Sequence, residues 1–202
     1  MRRGMRVEIF NYGAGNLFSI QAAFKKEGAR TALTKDGKGL KEADAIVLPG
    51  VGSFNQAARA LPMRRIREAV DSGKPLLGVC LGLQLFFSKS EEGPGRGLSL
   101  FPGEVKKFRS SGVKVPQIGW NTLTVRRESE LTDGLGGESW VYYVNSYYPA
   151  TKGRWVVATS DYGVEFPALV SEKNVHGTQF HPEKSGTAGA RILRNFLRAV
   201  KR

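Results

Sequence analysis

Positions 6–11 (RVEIFN) form a short apolar-rich run that meets Gly13, Ala14 and Gly15, after which Leu17, Ile20, Gln21 and Phe24 recur at helical spacing as far as Gly28. Strand, glycine turn and helix make the opening unit of a parallel α/β domain. The unit repeats. Positions 45–48 (AIVL) read as a buried strand closed by Pro49-Gly50, with a helix from about Phe54 and a second one, after a break at Pro62, carrying Ile66, Ala69 and Val70. Positions 75–79 (PLLGV) are a further buried strand running straight into Cys80 and a helical segment, LGLQLFF. Beyond Ser88 the texture changes. Gly93-Pro94-Gly95 breaks the helix, and short alternating runs predict strands at 104–108, 122–125, 141–144, 155–159, 168–170 and 174–180. An amphipathic helix with Ile192, Leu193, Phe196, Leu197 and Val200 on one face closes the chain. The expected fold is α/β: one domain over residues 1–202, with an open, twisted, mostly parallel sheet, helices on both faces and extra antiparallel strands in the second half.

Composition narrows the class. The 202 residues are 41% hydrophobic and 24% charged, which excludes a disordered chain or a fibre. No apolar run approaches the roughly 20 residues that span a bilayer. The start, MRRGMRVEIF, lacks the apolar stretch of a signal peptide, and Met5 is a second possible start. A single cysteine, Cys80, rules out an internal disulfide and suits a reducing compartment, the cytoplasm. The 31 basic and 18 acidic residues leave a net charge of +13. The basic pairs at Arg2, Arg64, Lys106 and Arg126 are scattered, with no aromatic residues interleaved in a cluster. An acidic partner surface or a substrate phosphate therefore fits better than nucleic acid. One cysteine and two histidines offer no metal-ligand spacing, so neither metal nor cofactor is expected.

Gly78-Val79-Cys80-Leu81-Gly82 has the form G-x-C-x-G between a predicted buried strand and a predicted helix. In G-x-S-x-G hydrolases the equivalent turn is sharp, and small residues flank the nucleophile because the backbone passes close to itself. Such a turn lifts the side chain off the sheet edge and aims the next N–H, that of Leu81, at the same point. A helix start there favours a thiolate. Against this stands the ordinary role of a free cysteine as a small buried apolar residue. A base decides between them. His181 ends a predicted strand in GTQFHPE, and Pro182 holds it extended. In an extended stretch Glu183 projects to the same side, where a carboxylate can bind one ring nitrogen and leave the other facing the thiol. His176 has no acidic companion and reads as structural.

These residues resemble the class I (triad-type) glutamine amidotransferases. GVCLGLQLF around Cys80 and GTQFHPEKSG around His181 are similar to that family's two signature segments. YGAGNL from Tyr12, PGVGSF from Pro49, IGWN from Ile118 and YYVNSYY from Tyr142 narrow the resemblance to the glutaminase subunits of imidazole glycerol phosphate synthases. One position departs: Asn145 stands where that family often has histidine. The resemblance implies a flavodoxin-like form of the fold and a Cys80, His181, Glu183 triad that releases ammonia from glutamine through a thioester. It implies an oxyanion hole from Leu81 and the Val51-Gly52 loop, whose peptide points the wrong way at rest, so the isolated chain should be a weak glutaminase. Glutamine would be bound by Gly52, Gln84, Glu92, Ser146 and Tyr147. A TIM-barrel cyclase subunit of histidine biosynthesis would be the heterodimer partner, with Asn16, Trp120, Tyr142 and Lys184 at the interface. Three alternatives remain at this level: a glutaminase serving another synthase, a cysteine peptidase or deglycase-like hydrolase on the same scaffold, and a basic RNA-binding module.

Overall fold

The computed structural model describes residues 4–13, 16–109 and 112–201. Arg2 of the first basic pair, and Ala14 and Gly15 of the first glycine turn, lie outside the described residues.

The first half alternates strands and helices as the apolar pattern requires. β1 (Arg6–Phe10) leads to α1 (Leu17–Lys26), β2 (Arg30–Thr34), β3 (Ala45–Leu48), α2 (Phe54–Ala60), α3 (Met63–Asp71), β4 (Leu76–Val79) and the four-residue α4 (Leu81–Gln84). Strand parity sorts the core into two layers. Phe10, Ile46, Leu48 and Leu76 meet Phe54, Ile66, Val70 and Leu81 on one face. Val7, Ile9, Val47 and Leu77 meet Ile20, Phe24, Leu193 and Phe196 on the other.

The second half supplies β5 (Glu104–Lys107), β6 (Gln117–Val125), β7 (Ser139–Asn145), β8 (Tyr147–Ala150), β9 (Val156–Asp161), β10 (Glu165–Glu172), β11 (Val175–Thr178) and α5 (Gly186–Ala199). Among the described residues nine strands share one sheet in the order β2-β1-β3-β4-β11-β10-β9-β6-β7. Pairing is parallel from β2 to β11 and antiparallel from β11 to β7, so the sheet is mixed. β5 and β8 form a separate antiparallel ribbon. A third apolar cluster, including Val141, Tyr143, Phe166 and Phe180, fills the space against the antiparallel half.

Four details differ from the pattern-based expectation. β2 was not expected, because only Thr34 of RTALT is buried and its ladder to β1 defines it. β8 was hidden by Pro149, a residue that argues against strands. β6 starts at Gln117, five residues before the expected 122, because its first part is inverted: Gln117 is buried while Ile118 and Trp120 face outward. The helix expected over LGLQLFF stops at Gln84. The carbonyls of Leu85 and Phe86 accept instead from the N–H groups of Leu98 and Leu100, both at 2.7 Å, so the helical ladder cannot continue.

Candidate active site

Cys80 sits between β4 and α4 at φ 51°, ψ −103°, a conformation that a non-glycine residue adopts only when its surroundings enforce it. The flanking glycines enforce it sterically. A Cβ on Gly78 would lie 2.6 Å from backbone atoms of Gly82 and Leu83, and one on Gly82 would collide with the Leu48 carbonyl. The strand, the turn and the helix can approach this closely only without those side chains. Cys80 is 5% exposed. Its Sγ lies 3.7 Å from the Val144 carbonyl oxygen and accepts from Gln179 Nε2 at 3.4 Å.

β11 runs beside β4, so the chain beyond β11 arrives next to Cys80. The His181 backbone is pinned there by its N–H to the Tyr142 carbonyl (2.9 Å) and by the Ser185 hydroxyl donating to its carbonyl (2.6 Å). Its Nδ1 lies 2.8 Å from Glu183 Oε1, with both side chains nearly sealed from water. The route of contact corrects the expectation: Pro182–Lys184 is a turn of 3₁₀ helix, so Glu183 folds back toward the ring instead of lying along an extended strand. Nε2 is buried and has no other regular partner among the described residues. Burial alone would lower the imidazole's pKa. The charge and hydrogen-bonding pull of Cys80, and then Glu183, outweigh burial and raise it to about 10. An imidazole held in this way keeps its proton at neutral pH.

A cavity of 260 Å³ opens over Cys80. Gly52, Gln84, Glu92, Ser146 and Tyr147 all line it, as do Val51 and Leu81. Gln84 and Glu92 do not lie on a solvated helix face. The Gln84 amide donates to the Tyr147 carbonyl (3.0 Å) and to Gln179 Oε1 (3.2 Å), while Glu92 Oε2 accepts from the Phe54 N–H at the start of α2 (2.9 Å). Asn145 also lines the cavity, with its Nδ2 donating to the Tyr147 carbonyl at 3.0 Å. Gln179, fully buried between Gln84 and the sulfur, was missed in the sequence. Its signal was its place two residues before His181, on the same side of an extended run. A larger cleft of 480 Å³ between Trp120, Trp140 and Arg191 is lined by neither cysteine nor histidine.

The two N–H groups expected to act as oxyanion donors, those of Leu81 and Val51, are not presented. The Leu81 N–H donates to the Gly50 carbonyl at 3.3 Å. In a trans peptide the C=O and N–H point in opposite directions, so the Val51 N–H faces away from Leu81.

Trp120 meets Tyr142 edge to face at 5.8 Å, and Lys184 Nζ stands 5.8 Å from the Tyr142 ring centre. Asn16 is exposed and caps α1, its Oδ1 accepting from the Ser19 N–H at 3.1 Å. Phe18 and Ile118 are also strongly exposed apolar residues. His176 is buried at β11 with Nδ1 2.9 Å from the Ser171 hydroxyl and its ring edge-on to Phe196, and burial lowers its pKa to about 4. Among the described residues no group of three or more His, Cys, Asp and Glu side chains could hold a metal, and no helix is long and apolar enough to cross a membrane.

The family Glutamine amidotransferase class-I matches the chain over residues 8–200. The chain is 48% identical over 198 residues to the imidazole glycerol phosphate synthase subunit HisH of Archaeoglobus fulgidus, covering 97% of this chain and 100% of that one. It is 47% identical over 200 residues to the protein of that name from Methanothermobacter thermautotrophicus, covering 96% and 99%. Among solved structures it superimposes on PurLQS from Thermotoga maritima with a TM-score of 0.79 at 19% identity, covering 97% and 99%. A solved glutamine amidotransferase gives a TM-score of 0.76 at 20% identity, covering 97% and 99%. At such identities the two structures speak to the fold alone.

Proposed function

The chain belongs to the class-I glutamine amidotransferase family, and from that premise we propose that it is the glutaminase subunit of an imidazole glycerol phosphate synthase, acting as one glutamine amidotransferase domain over residues 1–202. The observation that carries the mechanism is His181: one ring nitrogen is held by Glu183 at 2.8 Å, and the ring also interacts with a cysteine on a strained elbow.

The Cys80 thiolate attacks the side-chain carbonyl of glutamine, and the C–O double bond opens to a tetrahedral oxyanion. His181 gives its proton to the leaving nitrogen, the C–N bond breaks, and ammonia departs from a γ-glutamyl thioester. His181, now neutral, takes a proton from water, which attacks the thioester to release glutamate and restore the thiolate. Glu183 fixes the imidazole tautomer throughout. Glutamine binds in the 260 Å³ cavity through Gly52, Gln84, Glu92, Ser146 and Tyr147, with Glu92 facing the α-ammonium. The Gly50–Val51 peptide must turn before the Leu81 and Val51 N–H groups can receive the oxyanion.

Ammonia is consumed by a TIM-barrel cyclase subunit that docks over Asn16, Trp120, Tyr142 and Lys184 and forms imidazole glycerol phosphate and aminoimidazole carboxamide ribotide in histidine biosynthesis. The basic balance of +13 suits an acidic partner face, and a lone cysteine nucleophile suits the cytoplasm. In the assembled complex Cys80→Ala should abolish glutamine-dependent turnover and leave turnover on added ammonia intact. Glutamate release by that variant at the wild-type rate would refute the assignment.

A further inference from the structure

A buried hydroxyl just after β1 has no task in the mechanism above. Tyr12 follows β1, and the neighbouring strands β1, β3 and β4 deliver Tyr12, Gly50 and Cys80 at one edge of the sheet. The Tyr12 ring packs against a cluster that contains Leu48 and Phe54, which bracket the 49–53 loop, and Leu81. Its phenolic oxygen is shut away from water and has no hydrogen-bond partner among the described residues. Burial, and behind it the charge of Cys80, push the phenol well above its ordinary pKa, so it remains a neutral O–H donor. A sealed, unpartnered hydroxyl is unfavourable and calls for an explanation.

The loop supplies one. With Gly50 C=O on the Leu81 N–H at 3.3 Å, neither oxyanion donor is available. Turning the Gly50–Val51 peptide frees the Leu81 N–H, brings the Val51 N–H round, and swings the Gly50 carbonyl to the opposite side, where it needs a new donor. We propose that Tyr12 is a positioning residue whose hydroxyl donates to the Gly50 carbonyl once that peptide has turned, and so holds the oxyanion donors in their active arrangement. The resting arrangement leaves the hydroxyl without a partner and the turned one gives it a partner, so Tyr12 biases the switch toward activity.

This rests on the glutaminase reading. The test measures glutamate release by wild type and by Tyr12→Phe, each alone and with the cyclase subunit and its substrate. The ratio of stimulated to unstimulated rate should fall about tenfold in Tyr12→Phe, the worth of about one hydrogen bond in the turned state, with KM for glutamine unchanged. A ring that only packs would lower both rates together and leave their ratio intact; that result, or full stimulation of the variant, overturns the inference while the glutaminase reading stands. A wild-type complex that releases no glutamate overturns both. In a crystal structure of the wild-type complex acylated at Cys80 by a glutamine analogue, Tyr12 Oη should lie within hydrogen-bond distance of the Gly50 oxygen. Finding it bonded elsewhere also overturns the inference.

Discussion

The N–H of Leu81 donates to the carbonyl of Gly50 at 3.3 Å, so the amide nearest the nucleophile is occupied by the loop that would have to release it. Beside it the side chains of Cys80, His181 and Glu183, the proposed nucleophile, base and carboxylate, already lie together. Assembly of the proposed triad and readiness of the proposed donors are thus separate properties in this fold: the first follows from strand packing, and the second depends on a single peptide. An exposed Val51 beyond that peptide leaves it room to turn.

The isolated chain should therefore hydrolyse glutamine slowly. Each absent oxyanion donor raises the barrier by about 3 kcal/mol, or roughly a hundredfold in rate. Steady-state glutamate release with and without the cyclase subunit and its substrate measures the difference. High activity from the chain alone would show that the Gly50–Val51 peptide is no barrier.

The His181 proton, held by Cys80 and then by Glu183 against the opposing effect of burial, should leave a mark on stability at alkaline pH. The folded pKa of His181, about 10, lies above the ordinary 6.5, so the folded chain holds this proton more tightly than the unfolded one. The stabilisation is complete below about pH 6.5 and disappears as pH rises toward 10. Thermal melts across that range should show a falling midpoint. Glu183→Gln removes one of the causes and should make the fall shallower, while lowering kcat through the loss of imidazole orientation.

His176 should act with the opposite sense. Burial holds its folded pKa near 4, below the ordinary 6.5, so on acidification the unfolded chain takes up the proton first. Its contribution is present above about pH 6.5 and is lost between 6.5 and 4, by up to the order of 3 kcal/mol. His176→Gln should flatten unfolding midpoints in that window. An equally steep acid limb in the variant would assign the loss to other groups.

Much of this arrangement can be read from the chain, for identifiable reasons. Buried parallel strands such as 45–48 and 76–79 are apolar throughout because both faces are covered, and that makes them conspicuous. The elbow glycines are legible because the close approach tolerates no side chain. β2 is an edge strand with little burial, and the start of β6 carries its apolar residues on the outside, so neither pattern announces a strand. The contact of Glu183 with His181 was expected for the wrong local geometry, since a proline-led 3₁₀ turn and an extended strand both bring these two side chains together. Gln179 and the Tyr12 hydroxyl take their significance from β-strand neighbours distant in sequence, which no local pattern contains.

The inverted start of β6 carries the last expectation. Ile118 and Trp120 stand on the same outer face, 64% and 54% exposed, and Trp120 meets Tyr142 edge to face below Lys184. Exposed aromatic residues that are already ordered against neighbours make efficient anchors, because little side-chain freedom remains to be lost on docking. Trp120→Ala should weaken association with the cyclase subunit by about 2 kcal/mol, roughly thirtyfold, and change the unfolding midpoint of the isolated chain only slightly, since half of the side chain is already in water. Leu33→Ala provides the control: Leu33 is 45% exposed on β2, at the opposite edge of the sheet from β7, and its loss should leave association unchanged. Titration of the cyclase subunit against each variant, followed by calorimetry, separates the two. Equal affinities for wild type and Trp120→Ala would move the docking face away from β6.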